Sequence, residues 1–252
     1  MMRLTVILFL ISSSLFGQDT LAKKSTPTKR LLIGVSFSPD YCYRTLKSAD
    51  DNISWIIRLR NESEVPKLGH TGGINVWYKI SDRIGFQAGV LYSSKGYDYK
   101  KSKLTFGDEI DPRYGFVYST QPPYGLEGNV YVKIHYNYNY LDIPFKILFY
   151  CGEKRIRFIA ATGVTTNIFL NAAHTSILSD DHGHRHKETT KDTYKYNSVN
   201  LSPIASVGID FRLNKRINVS VGPFIAYGIL SIDHETYLWN AGFNVSCYYA
   251  LK

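Results

Sequence analysis

Apolar residues alternate with small or polar residues along about eight stretches of this chain. In the first stretch, residues 31–44, Ile33 and Val35 alternate with Gly34 and Ser36. Alternation with a period of two is typical of β-strands that have one apolar and one polar face. The connections run long, short, long, short, long, short and then intermediate, as in outer-membrane barrels, where periplasmic turns are short and extracellular loops are long. The pattern therefore predicts an all-β fold: an eight-stranded antiparallel up-and-down transmembrane β-barrel with long extracellular loops and short periplasmic turns.

The remaining strands are predicted from the same alternation. They cover about 67–80, 84–93, 141–149, 156–170, 201–211, 217–227 and 237–249, and the largest loop covers about 96–130. Upstream of the fourth strand, the apolar phase of residues 130–138 is shifted by one. A bulge near Asn139 or Tyr140, or a strand that projects beyond the membrane, would explain the shift.

Three prolines fall inside predicted central strands, at Pro144, Pro203 and Pro223. Proline has no N–H to donate to a β-ladder. We therefore expect these residues at bulges or strand ends.

The N-terminus predicts export from the cytoplasm. Arg3 precedes an apolar run over 4–16, and Gly17 offers a small residue for cleavage. The run is shorter than the roughly 18 to 20 residues that a membrane-spanning helix needs. We expect a cleaved signal peptide at 1–18, a periplasmic segment at 19–30 and the outer-membrane barrel at 31–252.

The residues that oppose the apolar positions indicate which face is outside. They are mainly glycine, serine and asparagine, which suits a small polar interior and an apolar surface in lipid. A hydrophobic content of 44% and a mean hydropathy of −0.18 agree, because a barrel shows lipid only every second residue. The alternative is a secreted soluble ligand-binding β-barrel of lipocalin type, whose apolar face would point inward.

The formal net charge of +9 does not indicate nucleic-acid binding, because lysine and arginine are scattered through turns and loops. Basic loops suit contact with outer-membrane lipid and lipopolysaccharide instead. A second set of charges falls on the predicted inward face, and an eight-stranded barrel is just wide enough for side chains to fill it. We expect these residues to pair with one another and to leave no conducting pore. The set consists of Asp40, Arg44, Lys79, Asp142, Lys146, Asp210 and Arg212.

Three cysteines, Cys42, Cys151 and Cys247, make a disulfide framework improbable in an exported protein. The alternation places Cys42 and Cys247 on opposite faces of their strands, which argues against a bridge between them.

Residues 180–186 form the only segment with metal-ligand composition. His182, His184 and His186 alternate, so an extended loop would place all three imidazoles on one side, with Asp180 or Asp181 completing the shell. A solvated histidine-rich loop tip is the other interpretation. No spacing links serine, histidine and carboxylate residues into a triad, so we expect neither an enzyme nor a cofactor.

Several segments carry a likeness to a known family. They are Phe-Gly-Gln at 16–18, Gly-Val-Ser-Phe-Ser-Pro at 34–39, Tyr-Leu-Asp-Ile-Pro at 140–144 and a glycine-containing strand pair near the C-terminus. In these segments the chain resembles the outer-membrane β-barrel domain family of Bacteroidota, which includes PorT-like proteins. The resemblance implies a small outer-membrane barrel, inserted by the barrel-assembly machinery and linked to protein secretion. Its extracellular loops would contact a protein or glycan partner. The last strand departs from the usual assembly signal, because 250–252 follow the terminal aromatic Tyr249.

Overall fold

The computed structural model describes residues 31–48, 54–104, 110–111, 116–117, 125–126, 129–152, 155–192, 195–233 and 235–251. The predicted signal peptide at 1–18 and the predicted segment at 19–30 lie outside the described residues. No helix in the described ranges is long and apolar enough to cross a membrane.

The described elements are almost all strands. They are β1 (Leu31–Leu46), α1 (Ser54–Ser63), β2 (Glu64–Val65), β3 (Lys67–Lys79), β4 (Ile84–Leu104), β5 (Ile110–Asp111), β6 (Phe116–Val117), β7 (Val130–Cys151), β8 (Ile156–Asp180), β9 (Arg185–Lys191), β10 (Val199–Arg212), β11 (Ile217–Tyr227) and β12 (Thr236–Ala250). Eight of them form a closed antiparallel ring in the order β1, β3, β4, β7, β8, β10, β11 and β12. β12 pairs with β1 from Leu32 opposite Ala250 to Leu46 opposite Thr236, which closes the ring. The predicted eight-stranded antiparallel barrel is confirmed.

The two ends of the barrel differ. One end, here called the turn end, carries the start of β1 and the end of β12 together with the three short connections from β3 to β4, from β7 to β8 and from β10 to β11. The other, here called the loop end, carries the four longer connections. This is the parity that the sequence predicts, with the loop end on the expected extracellular side.

Apolar side chains point outward around the ring. Val35 and Val207 are each 60% exposed and Phe158 is 64% exposed, whereas Asp40 and Asp210 are fully buried inside. The inside-out arrangement expected of a barrel in lipid is therefore confirmed. Cys42 is buried and Cys247 is exposed, as their opposite phases predict, and both are free thiols.

The expectation for the three prolines is wrong, because all three lie within strands. Pro144 and Pro203 face Thr165 and Val164 in continuous ladders with β8. The backbone N–H that proline lacks would have pointed to the neighbouring strand on the opposite side. Pairing between β4 and β7 is interrupted beside Pro144, and pairing between β10 and β11 is interrupted beside Pro223. Pro144 and Pro223 thus each open one ladder locally and leave the other intact, and Pro203 lies just outside the β10–β11 ladder, which begins at Ile204.

The strands on one side of the ring are much longer than predicted. β4 continues to Leu104, inside the expected largest loop, and β8 continues to Asp180, inside the expected polar connection. β9 then folds back against β8 from Ser179 opposite Arg185 to Ala173 opposite Lys191. We call the part of β4, β7, β8 and β9 formed by residues 95–104, 130–139, 171–180 and 185–191 the raised sheet.

The shifted apolar phase at 130–138 has its explanation in the raised sheet. Even-numbered residues of β7 face inward along the whole strand, from Val132 through Tyr140 to Leu148. Within the barrel the apolar residues point outward, but above it they point inward to a packed core. A bulge is also present at the predicted place. Asn139 faces Asn171 and Tyr140 faces Phe169, so the extra residue belongs to β8.

Candidate functional site

A layer of aromatic rings fills the barrel near the turn end. Trp77 stacks on Tyr150 with ring centroids 5.4 Å apart and meets the edge of Tyr248 at 4.7 Å. Leu148 and Ile159 are buried in the same cluster. We call these residues the turn-end plug.

Above this plug the interior is polar, and it contains the fully buried carboxylate of Asp40. Its carboxylate accepts hydrogen bonds from Ser38 Oγ at 2.6 Å, Thr71 Oγ1 at 2.5 Å and Asn240 Nδ2 at 3.0 Å. Three donors therefore replace water around this charge, which is the condition for burying a carboxylate without a cation.

The expected pairing of the inward charges with one another is wrong in detail. Arg157 binds Asp210, with Nε 3.1 Å from Oδ2, and its guanidinium lies over the Tyr150 ring at 4.7 Å. Lys95 Nζ lies 2.9 Å from Asp142 Oδ2. Lys95 lies just beyond the predicted third strand, 84–93, and Arg157 lies at the very start of the predicted fifth strand, 156–170, so these partners were missed.

A cavity of about 80 Å³ lies between the turn-end plug and the polar residues above it. Gln87, Lys146, Asn167, Ser202 and Phe224 are among the side chains that line it. This volume and lining suit a few ordered waters.

A second aromatic cluster closes the loop end. Tyr97, Tyr138 and Tyr140 are buried there with Ile232 and Leu238. We call these five residues the loop-end plug. The described interior is thus occluded at two levels, with the polar cavity between them.

Helix α1 lies at this mouth and is held by charged contacts. Glu64, directly after the helix, lies 2.6 Å from Arg44 Nε and 2.7 Å from Arg60 Nε. Arg60 also donates to the Tyr97 hydroxyl at 3.1 Å, and Arg44 donates to Asn61 Oδ1 at 2.6 Å. The predicted inward Arg44 therefore anchors the first long connection to the barrel wall.

The raised sheet has two different faces. Its inner face packs a core of apolar residues, and Leu126 from the connection between β4 and β7 belongs to it. The core consists of Tyr99, Leu104, Leu126, Val130, Val132 and Ile134, with Tyr136 and Leu178 packed against it. Its outer face is polar and carries Lys100, Lys133, His135 and Arg185 around a shallow depression.

The predicted metal-binding segment lies at the tip of the raised sheet. Asp180 Oδ1 accepts hydrogen bonds from the backbone N–H of His182 at 3.0 Å and of His184 at 2.8 Å, and Oδ2 lies 2.8 Å from His184 Nδ1. Gly183, with φ of +87°, permits this tight turn. The described residues contain no group of three or more His, Cys, Asp or Glu residues arranged to hold a metal ion. A site at His182, His184 and His186 therefore stays a prediction.

The neighbouring Asp181 fastens the tip to the start of β7. Asn129 Nδ2 donates to its carboxylate at 2.6 Å and the Tyr131 hydroxyl donates at 2.9 Å. These two hydrogen bonds lower the pKa of Asp181, because they favour the charged form. The tip is thus a built turn with its own contacts.

Comparison with solved structures finds outer-membrane barrels of low sequence identity. Neisserial surface protein A is 7% identical, covers 88% of this chain and 97% of that chain, and has a TM-score of 0.43. OprG from Pseudomonas aeruginosa is 11% identical, with coverage of 87% and 96% and a TM-score of 0.37. The outer membrane protease OmpT from Escherichia coli is 9% identical, with coverage of 92% and 99% and a TM-score of 0.42. No curated protein matches the sequence significantly.

A family model for the outer membrane protein β-barrel domain matches residues 16–232. This match covers most of the chain and agrees with the closed ring and its apolar outer belt. The soluble lipocalin-type alternative is therefore wrong, and the protein is located in the outer membrane. The chain belongs to the outer membrane protein β-barrel domain family.

Proposed function

We propose that this protein is a non-enzymatic interaction barrel that presents the raised sheet and its loops to a partner outside the cell. One observation carries the proposal. β4, β7 and β8 have 21, 22 and 25 residues, about twice the 9 to 11 residues that a strand needs to cross the bilayer. The excess forms a sheet with its own core, which anchoring alone would not require.

The interior supports the same proposal. The turn-end and loop-end plugs occlude the described lumen at two levels, and the cavity between them is small. A transport path would need an open lumen, as in larger barrels. The raised sheet is therefore the better candidate for the functional surface.

The histidine contacts do not favour hydrolytic chemistry. His135 Nδ1 lies 2.7 Å from Asp98 Oδ1, and His184 contacts Asp180 in the same way. A covalent mechanism would also need a nucleophile within hydrogen-bonding reach of the base. Among the described residues, no serine, threonine or cysteine side chain makes a hydrogen bond to either imidazole. These pairs are better explained as contacts that hold the sheet together.

The finer part of the proposal concerns the biological setting. The resemblance to PorT-like proteins of Bacteroidota supports a place beside a protein secretion apparatus, with a protein or glycan as the partner of the raised sheet. A rigid sheet that projects from the membrane suits this role, because it can contact a partner beyond the lipid surface.

A shortened variant tests the proposal. Gly96 and Asn137 face each other in the β4–β7 ladder, and Ala173 faces Lys191 in the β8–β9 ladder. Residues 97–136 and 174–190 can each be replaced by Asn-Gly, which favours a two-residue hairpin turn. Lys95 and the barrel below remain.

The variant is compared with the wild type in a strain that lacks the protein. We expect both to reach the outer membrane and to migrate differently on gels before and after boiling. Only the wild type should restore the set of proteins secreted into the medium. Equal restoration by the shortened variant would contradict the role of the raised sheet, and an unchanged secretome in the deletion strain would contradict the link to secretion.

A further inference from the structure

The outer face of the raised sheet carries a row of cations in exact cross-strand register. Lys100 of β4 faces Lys133 of β7, Lys133 faces Ile177 of β8, and Ile177 faces Lys187 of β9. We call Lys100, Lys133 and Lys187 the basic row. Arg185 lies two residues closer to the tip on the same face, opposite Ser179 on β8.

This arrangement is unfavourable for the sheet by itself. Neighbouring strands are only about 4.8 Å apart, and like charges directly opposite each other are destabilising. Lys100 and Lys133 are such a pair.

Little negative charge on the protein offsets the row. Asp98 lies on the same face, but it is held by His135 at 2.7 Å and is 3.8 Å from Lys133 Nζ. Within the described ranges, no carboxylate forms an ion pair with Lys100, Arg185 or Lys187. The row therefore has charge available for an external anion.

The position of the row identifies the anion. On β7 the outward-facing residues change from Lys133 and His135 to the apolar Ile143 and Phe145 of the lipid-facing belt. Lys133 lies ten residues before Ile143, about 34 Å along the strand at roughly 3.4 Å per residue. A strand tilt of roughly 45° reduces this to about 24 Å above the hydrocarbon. At that level the outward face of an outer-membrane protein is surrounded by the sugars of lipopolysaccharide.

We propose that the basic row binds the phosphate groups of lipopolysaccharide core sugars, with the hydroxyls of Thr175 and Thr189 beside it to hydrogen-bond the sugar. Lysine ammonium groups suit phosphate oxygens as compact point charges. Binding would clamp β4, β7 and β9 together and remove the repulsion between Lys100 and Lys133. This inference concerns the membrane neighbour of the sheet and does not depend on the proposed secretion role.

The test measures binding of purified lipopolysaccharide to the full-length protein in nanodiscs. One variant combines Lys100→Gln, Lys133→Gln and Lys187→Gln. The matched control combines Arg83→Gln, Arg155→Gln and Lys215→Gln, which removes three exposed charges at the turn end. We expect affinity to fall about tenfold or more in the first variant and to stay within about twofold in the control.

Thermal unfolding gives a second readout. The substitutions that weaken lipopolysaccharide binding should raise the unfolding temperature of the protein alone. Without lipopolysaccharide, the basic-row variant should unfold at a higher temperature than the wild type, because the repulsion is gone. Added lipopolysaccharide should raise the unfolding temperature of the wild type and of the control only. A basic-row variant that is no more stable and still binds as tightly as the wild type would overturn the proposal.

Two further probes identify the chemical group. Lipopolysaccharide stripped of phosphate should bind the wild type no better than it binds the basic-row variant. Equal binding of the intact and stripped forms would overturn the phosphate assignment. If the protein bound the anionic lipid phosphatidylglycerol as tightly as lipopolysaccharide, the binding would be a non-specific response to negative charge. That result would also overturn the phosphate assignment.

Discussion

At the scale of single residues, the barrel interior is stabilised by polar groups whose partners come from neighbouring strands. Asp40 of β1 is bound by Thr71 of β3 and by Asn240 of β12, so one side chain joins three neighbouring strands. Asn167 of β8 likewise donates to Asp142 at 2.6 Å and accepts from Ser202 at 2.5 Å. In a lumen too narrow for bulk water, such bonds determine whether a buried charge can be tolerated.

Replacing Asp40 with alanine should lower the free energy of unfolding by about 2–3 kcal/mol, because three buried donors lose their acceptor. Urea unfolding of the protein in lipid vesicles, followed by tryptophan fluorescence, measures the change. Glu62→Ala on the exposed side of α1 is the control and should change stability by less than about 0.5 kcal/mol. A loss for Asp40→Ala as small as that of the control would show that water replaces the carboxylate at no cost.

At the scale of elements, the sequence predicts the membrane-spanning strands well and the raised sheet poorly. The alternation of apolar and polar residues predicts each strand segment that has one face in lipid and the other in a polar lumen. Above the belt, β7 has the reverse pattern, with apolar Val132 facing a protein core and polar Lys133 facing outward. In the sequence, a continuous strand whose apolar residues turn from lipid to a protein core looks the same as a strand with a bulge. The period of the apolar residues alone could therefore not distinguish these two explanations. The cation partners Lys95 and Arg157 were missed for a related reason, since their position inside depends on strand length and register.

The junction between the barrel and the raised sheet depends on a glycine. Gly96 has φ of +146°, and a Cβ on it would overlap the carbonyl oxygen of Tyr136 on β7. Gly96→Ala should therefore weaken the β4–β7 ladder above the belt, at a cost of about 1–3 kcal/mol. Limited proteolysis of the folded protein should cut the raised sheet faster while the barrel stays resistant.

The control for this experiment is Ser94→Ala, two residues earlier on the same strand and face. It should be cut no faster than the wild type. Equal proteolysis of all three proteins would show that the ladder adapts to a side chain at Gly96. A variant that no longer shifts on boiling would show that the strain reaches the whole barrel.

At the scale of the whole molecule, the barrel contains two closures in series. The turn-end plug surrounds Trp77 and the loop-end plug surrounds Tyr138, with the polar cavity between them. Strand number alone predicts a filled lumen, but the two levels arise from residues that meet only when the ring closes. Family membership places the barrel in the outer membrane.

Closure in series makes a specific prediction about ion flux through vesicles that contain the protein. The wild type should pass no more K⁺ than protein-free vesicles. Trp77→Ala with Tyr150→Ala opens only the turn-end plug, and Tyr138→Ala with Tyr140→Ala opens only the loop-end plug, so neither variant should conduct. The fourfold variant removes both obstacles and should give a measurable flux, provided that it still shifts on boiling. Flux through either double variant would show that the plug removed there carries the whole barrier, and flux through the wild type would show that the two plugs do not close the lumen. A folded but silent fourfold variant would place the barrier in the polar residues around the cavity.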